Sequence, residues 1–253
     1  MKLCSLSSGS KGNSFYVETD NARILIDVGI SGLQARKRLE SIGVEPDSID
    51  GIILTHSHRD HINGVGVFAR QTGAQVYGHP ETLDEISSLF IRDEKVIPWS
   101  GQFEINGVRI TPFRVSHDSY PTVGYLLQAN GKTLGFCTDT GIVTNEIVEN
   151  LSKADLLVLE SNHDPDMLIN GPYPWHLKER IASRMGHLSN HESGALLKKI
   201  LNGRMERIFL AHLSDENNTP EIALQTVLDY IGNNREDILT VLEQKTVSPI
   251  FNF

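Results

Sequence analysis

Cysteine, long apolar runs and basic residues are all scarce in this sequence of 253 residues. The only cysteines, Cys4 and Cys137, lie in apolar segments without a C-x-x-C pairing, so we expect two buried free thiols and no disulfide. A membrane span would need ~20 consecutive apolar residues, and the start Met1 to Ser5 lacks the apolar core of a signal peptide. We therefore expect a protein of the reducing cytoplasm with no membrane segment.

The shortage of basic residues gives a formal net charge of −9. This charge argues against a broad basic face for nucleic acid. It does not exclude a phosphodiester substrate, because bound divalent metals would change the local field. An apolar content of 39% allows a sizeable core, and the length suits one large α/β domain or two small ones. We see no linker, internal repeat or obligate protein partner in the sequence.

Apolar periodicity and turn residues predict an alternation of strands and helices. Strands are predicted at 2–6, 14–18, 23–29, 51–54, 76–78, two or three within 103–127, and at 132–138, 155–160, 207–212, 239–242 and 250–253. Helices are predicted at 31–42, 62–72 and 145–151, and after Pro80 and Pro220. In the helix 31–42 we expect Leu33, Leu39 and Ile42 to face the core.

The densest group of potential ligands is Thr55-His56-Ser57-His58-Arg59-Asp60-His61, directly after the apolar run Gly51 to Leu54. His56 and His58 are two positions apart, so both side chains leave an extended backbone on the same side. Asp60 and His61 are adjacent and should diverge, which would let them reach a second point nearby. Imidazoles and a carboxylate oxygen suit zinc, manganese or iron. The segment therefore predicts two metal half-sites rather than a polar turn that happens to contain histidine.

Other candidate ligands also follow predicted strands. His117, Asp139 and His212 each lie just beyond an apolar strand, as His56 and His58 do. A sheet gathers groups that stand at its strand ends, so we expect these side chains to meet. Asp27 ends a further strand, where it could hold a ligand histidine by its free N–H or could be an ordinary turn aspartate.

The segment from Ser7 to Asn13 is a candidate anion-binding loop. Its small residues and two glycines would let backbone N–H groups approach a phosphate, and a lysine adds positive charge. On composition alone a plain hairpin loop is the better interpretation. The candidate phosphate-binding residues are Ser8, Ser10, Lys11 and Asn13, with Ser189 farther along the chain.

Asp27, the cluster His56 to His61, His117, Asp139 and His212 resemble, in order, the five motifs of the metallo-β-lactamase fold. The resemblance implies an α/β (α+β) protein, a four-layer αββα sandwich that spans residues 1–253 as a single domain. It also implies two divalent transition-metal ions, zinc, manganese or iron. By this match one ion is held by His56, His58 and His117, the other by Asp60, His61 and His212, and Asp139 bridges them.

Two further segments resemble motifs of the tRNase Z group. Asp155 to Asn162 is similar to its strand-plus-acid motif, and Gly186 to Glu192 is similar to its His-Ser-Thr loop. The match implies that Glu160 orients His187, and that His187 donates a proton to the leaving oxygen. Ser189 and Glu192 also form the pattern of a capping box before an apolar helix, and both roles are compatible.

Together with residues 8–14 and 171–175, these motifs resemble the YycJ/WalJ branch, which is associated with 5′-to-3′ DNA exonuclease activity. The sequence has no obvious inserted tRNA-gripping arm, so DNA is favoured over RNA as the substrate. The resemblance implies that a metal-bridging hydroxide attacks phosphorus and that Asp60 accepts a hydrogen bond from it.

Several features leave alternatives open. Lys178, Arg180 and Arg184 could steer a nucleic-acid backbone or could form a solvated helix face. Tyr173 and Trp175 could stack on a base or could pack the long loop. The acidic net charge favours an alternative substrate, a small cyclic phosphodiester, lactone or thioester. A metal-stabilised scaffold without turnover is a third hypothesis, against which the complete ligand set argues.

Overall fold

The computed structural model describes residues 1–89 and 95–253. Its described strands form two sheets. The first sheet has the spatial order β14 (Phe251–Asn252), β1 (Lys2–Ser7), β2 (Ser14–Glu18), β3 (Arg23–Ile26), β4 (Gly51–Ile53), β5 (Gln75–Gly78) and β6 (Val96–Pro98). The second has the order β13 (Leu239–Val241), β12 (Arg207–Ala211), β11 (Leu156–Glu160), β10 (Lys132–Cys137), β9 (Val123–Ala129), β8 (Val108–Arg114) and β7 (Phe103–Ile105).

Each sheet combines an antiparallel part with a parallel part. In the first sheet β3 to β6 are parallel, and in the second β10 to β13 are parallel. Strand β8 runs in the same direction as β10, because both pair antiparallel with β9. The C-terminal ends of these strands therefore lie along one edge of their sheet, which is where α/β folds place ligands.

The two sheets face each other across a shared apolar core. Ile24 and Ile26 of β3 point into this core, whereas Leu25 between them packs on the opposite face of the sheet. Between the sheets, the rings of Phe15 and Phe136 meet edge to face with centroids 4.9 Å apart. Alternating side chains of the inner strands are thus buried on both faces, which explains why these strands appear in the sequence as continuous apolar runs.

Helices cover the outer face of each sheet and complete the four layers of an αββα sandwich. The described α-helices are α1 (Gly32–Ser41), α2 (Arg59–Ile62), α3 (Val65–Thr72), α4 (Pro80–Glu85), α5 (Asn145–Leu151), α6 (Pro165–Asn170), α7 (Trp175–Ile181), α8 (Asn190–Ile200) and α9 (Pro220–Ile231). Two outer apolar clusters lie under α1, α3 and α4 on the first sheet and under α5, α8 and α9 on the second. None of the described helices has the length and apolar character that a membrane crossing requires.

Most predicted elements are confirmed, and the differences have local causes. Leu33 was expected in the core, but it is 62% exposed, and Ala35 and Leu39 form the buried face of α1 instead. Of the predicted helix 62–72, only 65–72 form α3, and Ile62 ends the preceding short helix α2. Gly64 lies between the two helices, where it has no room for a Cβ beside the carbonyl oxygen of Ile30. The predicted state of the cysteines is confirmed, because both are buried free thiols.

Candidate metal centre

Three of the predicted site residues stand where a strand ends in left-handed backbone. Asp27 after β3, Asp139 after β10 and His212 after β12 have φ values of 58°, 57° and 58°. Aspartate and histidine adopt this conformation more readily than most residues. The left-handed residue turns the chain sharply at the strand end while its side chain stays buried at the edge of the sheet.

The first half-site consists of the three histidines His56, His58 and His117. Each offers a ring nitrogen, and these nitrogens lie within 4.8 Å of one another. Nδ1 of His58 and Nε2 of His117 are 3.2 Å apart. Three imidazoles at such a spacing form a donor set that suits zinc and similar ions.

The second half-site consists of Asp60, His61 and His212, which converge in the same way. Oδ2 of Asp60 lies 3.5 Å from Nε2 of His61 and 3.5 Å from Nε2 of His212. The expectation that Asp60 and His61 diverge is therefore wrong. Both belong to the helical turn α2 rather than to extended backbone, and adjacent residues of a helix are about 100° apart.

Asp139 lies between the two half-sites. Its Oδ2 is 3.4 Å from Nε2 of His61, and its Oδ1 is 3.4 Å from Nε2 of His212 and 3.9 Å from Nε2 of His117. The structure thus brings all seven sequence-predicted ligands together, with the carboxylate in the position that a bridging ligand would occupy.

Several donor atoms of this cluster have no protein partner. Nε2 of His56, Nε2 of His212 and Oδ2 of Asp139 are buried, and no described residue forms a hydrogen bond with them. Buried polar atoms are normally satisfied, so such atoms call for a bound group. Their chemistry, imidazole nitrogen and carboxylate oxygen, matches the preference of zinc, manganese and iron.

Hydrogen bonds from the opposite ring nitrogens fix the orientation of these histidines. Nδ1–H of His61 donates to Oδ2 of Asp27 at 2.8 Å, and Asp27 also accepts the backbone N–H and the hydroxyl of Thr55 at 2.9 and 2.8 Å. Nδ1–H of His117 donates to the Gly186 carbonyl at 3.0 Å. Because each of these bonds uses Nδ1, the Nε2 atom of the same ring faces the cluster, as is usual for metal-binding histidines.

Burial and charge set the protonation of the two half-sites differently. Burial lowers the pKa of His56, His58 and His117, which keeps these rings neutral as metal ligands must be. Burial also acts on His61 and His212, but the surrounding carboxylates outweigh it. They raise the pKa of His61 well above its usual value and that of His212 to about 10.

The predicted pair of Glu160 and His187 lies beside this cluster. Nδ1–H of His187 donates to Oε1 of Glu160 at 2.7 Å, and Oε2 accepts the backbone N–H groups of Thr140 and Leu188 at 3.0 and 3.1 Å. Burial acts to raise the pKa of Glu160, but His187 and the other hydrogen bonds outweigh it and lower that pKa to about 2. Glu160 is therefore an anion that holds the Nδ1 edge of the His187 ring.

A cavity of about 220 Å³ opens over both half-sites. Tyr173 and Arg180 line it together with His187, whereas Trp175 is 64% exposed. Lys178 donates to the carbonyl oxygens of Ile169 and Gly171 at 2.7 and 2.8 Å and so supports the loop that carries Tyr173.

The candidate phosphate-binding residues divide into two groups. Ser10 lines the cavity, and Lys11 is exposed and forms an ion pair with Asp215 at 2.6 Å. The other three are buried and support neighbouring groups. The Ser8 hydroxyl accepts the backbone N–H of His212, Asn13 contacts His61 and Asp60, and Ser189 caps α8 in a capping box with Glu192.

Sequence reasoning missed some of the residues that shape the site. Nδ1–H of His212 donates to Glu160 at 3.1 Å, so Glu160 contacts two histidines rather than one. Asn162 donates to the backbone carbonyl of His212 at 2.9 Å. Asp118 lies 3.5 Å from Nε2 of His58. The only sequence signals for Asn162 and Asp118 are their places beside Glu160 and His117 in strand-end segments.

Comparisons with known proteins identify the family of this chain. Residues 22–212 match the family model described as the beta-lactamase superfamily domain. The exodeoxyribonuclease WalJ of Streptococcus pneumoniae serotype 2 is 37% identical over 237 residues, which cover 91% of this chain and 88% of that protein. The exodeoxyribonuclease YycJ of Bacillus anthracis is 36% identical over 226 residues, 88% of this chain and 86% of that protein.

A solved structure shows the same fold. The metallo-beta-lactamase fold protein YhfI of Bacillus subtilis superposes with a TM-score of 0.75 at 16% identity, and the match covers 98% of both chains. The predicted fold class and the predicted resemblance are therefore confirmed. The chain belongs to the β-lactamase superfamily and is a hydrolase of the metallo-β-lactamase fold.

Proposed function

We propose that this protein is a two-metal phosphodiesterase and, more specifically, a 5′-to-3′ exonuclease of DNA. The observation that carries the proposal is the position of Asp139 between two ligand triads, with His187 beside them in the same cavity. Relatives at 36% and 37% identity that carry the name exodeoxyribonuclease support DNA as the substrate. In the same proposal residues 1–253 form one domain, and the buried free thiols support a cytoplasmic location.

The ligand assignment follows the two triads. His56, His58 and His117 would hold one divalent ion, and Asp60, His61 and His212 would hold the other, with Asp139 shared. When bound, two such metal ions would provide Lewis acidity and lower the pKa of an attacking water. Asp27 and Glu160 orient His61 and His212 through their Nδ1–H groups, so that Nε2 of each ring faces its site.

His187 and Glu160 would handle the proton of the leaving group. Glu160 accepts from Nδ1–H of His187, so a protonated His187 would still carry a proton on Nε2 for the departing oxygen. Asp60 borders the cavity and is held by Asn13, so it can accept a hydrogen bond from the attacking nucleophile.

The loop Ser8 to Asn13 would hold a terminal 5′-phosphate. Ser10 in the cavity wall and Lys11, which lines a neighbouring cavity that also touches Ser10 and Asp60, are the groups placed to contact it. Ser8, Asn13 and Ser189 would act indirectly, because their hydrogen bonds hold His212, Asp60 and helix α8 in place.

The decisive experiment compares substrates and ends. Purified protein with Mn²⁺ should degrade single-stranded DNA carrying a 5′ label into labelled mononucleotide, and should act more slowly on RNA and on bis(p-nitrophenyl) phosphate. Asp139→Ala should lose at least one metal equivalent and the DNA activity together. Turnover only of a small cyclic phosphodiester, lactone or thioester would favour the alternative substrate class and overturn the nuclease assignment.

A further inference from the structure

The wall of the cavity contains one cation that is held in a fixed orientation. Arg180 is the only lysine or arginine among the described residues that line the cavity. Nε–H and an Nη2–H of its guanidinium donate to the two carboxylate oxygens of Asp118 at 2.5 and 3.1 Å. This bidentate geometry fixes the guanidinium plane, which a lysine in the same place could not do.

The same carboxylate connects Arg180 to the first half-site. Oδ1 of Asp118 lies 3.5 Å from Nε2 of His58 and 3.4 Å from Nε2 of His117. Arg180 therefore contacts the candidate ligands His58 and His117 only through Asp118, so it lies close to the metal centre but is not part of it. Hydrogen bonding to Asp118 raises the pKa of Arg180, so the guanidinium stays charged.

Most of the donors of this guanidinium remain available. An arginine carries five N–H donors, and only two take part in the pair with Asp118. In the described part of the chain no other hydrogen-bond acceptor of Arg180 is found. A guanidinium with this orientation and spare donors is suited to the non-bridging oxygens of a phosphate.

We propose that Arg180, held in position by Asp118, binds the backbone phosphate next to the scissile one and so selects a nucleic-acid strand over a small phosphate ester. The inference rests on the proposed function and extends it. The scissile phosphate would contact the two ions, whereas Arg180 lines the same cavity and is separated from His58 and His117 by Asp118, so it would meet a neighbouring phosphate of the strand. Asp118 acts through Arg180 and is a positioning residue.

The two other cations of this stretch have different surroundings and provide a control. Lys178 is engaged with backbone carbonyls, and Arg184 is exposed and is not among the residues that line the cavity. Arg184→Met therefore removes the same charge from the same region without touching the proposed phosphate contact.

The test measures steady-state kinetics of the metal-loaded protein on single-stranded DNA at several salt concentrations. Arg180→Met should raise KM for DNA roughly ten-fold to a hundred-fold with a smaller change in kcat, as expected for loss of a charged hydrogen bond. It should also reduce the slope of log KM against log salt by about 0.7, the value for one phosphate contact on a single strand. Arg184→Met should keep both the KM and the slope of the unaltered protein.

Three controls decide the outcome. Arg180→Met should retain both metals, and its loss of activity on bis(p-nitrophenyl) phosphate, which has no flanking phosphate, should be far smaller than its loss on DNA. Asp118→Asn should give a weaker form of the same pattern. Loss of metal in Asp118→Asn, or equal slowing of both substrates by Arg180→Met, would overturn the inference. Failure of the unaltered protein to cleave DNA, while it cleaves another substrate, would instead contradict the proposed function.

Discussion

At the scale of single residues, Glu160 links the two kinds of histidine in the site. Its Oε1 accepts from Nδ1–H of His212, a candidate metal ligand, and from Nδ1–H of His187, the candidate proton donor. One buried carboxylate thus orients a ring that must be neutral to bind metal and a ring that must be protonated to act as an acid. The difference between the two rings lies in their Nε2 atoms, because that of His212 is buried in the cluster and His187 lines the cavity.

Replacing His187 by alanine tests its role as a proton donor. We expect His187→Ala to keep both metals and the fold but to reduce kcat on DNA by about 10²–10⁴-fold, the usual contribution of general acid catalysis. The loss should be much smaller on bis(p-nitrophenyl) phosphate, because p-nitrophenolate leaves without a proton. The measurements are kcat on both substrates and the metal content of the purified variant.

Glu160→Gln is the matched control for that experiment. It should show the same preference more weakly, because it changes the group that orients His187 without removing the ring. Its metal content is measured as well, because Glu160 also accepts from Nδ1–H of His212. Release of a metal by His187→Ala would identify the residue as a ligand, and equal slowing of both substrates would reduce its role to positioning. Either result would be incompatible with the proton-donor assignment.

At the scale of elements, the sequence predicts what is local and misses what depends on contact. Inner strands such as β4 and β11 were predictable because burial on both faces makes them continuous apolar runs. Strand β6 was not predicted, since it is short and contains Pro98, a residue that suits only an edge strand. Leu33 was placed wrongly because helical periodicity near a capped N-terminus does not show which turn first meets the sheet.

The same distinction applies to the site. The convergence of the candidate ligands was predictable because five of them follow apolar strands, and parallel strands align their ends. The five are His56, His58, His117, Asp139 and His212. The contacts of Glu160 with His212 and of Asp118 with Arg180 join residues that are 52 and 62 positions apart, so no local pattern reveals them. Left-handed backbone at Asp139 and His212 is equally invisible, because neither position contains the glycine that usually signals it.

The loop Ser8 to Asn13 is an element whose position depends on the C-terminal segment. The side chain of Gln244 accepts the backbone N–H of Lys11 at 2.7 Å and donates to the carbonyl of Gly12 at 2.8 Å. If this loop binds a terminal phosphate, Lys11→Ala should weaken cleavage of 5′-phosphorylated DNA several-fold more than cleavage of 5′-hydroxyl DNA. An equal effect on the two substrates would return the loop to the role of a connector.

Helix α8 allows the two interpretations of Ser189 to be separated. The Ser189 hydroxyl accepts the backbone N–H of Glu192, while the Glu192 carboxylate accepts the backbone N–H of Ser189. Ser189→Ala should lower the free energy of unfolding by about 1 kcal/mol, the usual cost of a lost N-cap, as measured by urea denaturation. Thr144→Ala, which removes the N-cap of α5, is the matched control. A specific rise in KM for DNA in Ser189→Ala alone would show that the hydroxyl also contacts substrate.

At the scale of the whole molecule, the site concentrates charge at the facing edges of two sheets. Loss of the metals leaves Asp60 and Asp139 beside His61 and His212, and these histidines lower the pKa values of both carboxyl groups against the effect of burial. The chelated protein therefore depends on ion pairs where the loaded protein would depend on metal bonds. Metal binding should add stability according to the ratio of free metal to its dissociation constant, about 4 kcal/mol at a thousand-fold excess.

This exchange makes the stability of the chelated protein depend on pH. The raised pKa values of His61 and His212 contribute stability that is fully present below the unfolded value of about 6.5 and is lost as the pH rises toward the folded value, about 10 for His212. We therefore expect the Tm measured with EDTA to fall from pH 6.5 to 9. The gain in Tm on adding Zn²⁺ at pH 6.5–8 should increase with pH, because metal binding releases these protons.

His212→Asn should flatten both trends in scanning calorimetry, whereas Thr144→Ala should lower Tm without changing either slope. A Tm with EDTA that rises over this range would show that the histidines are neutral in the chelated protein and would remove the electrostatic basis of the prediction.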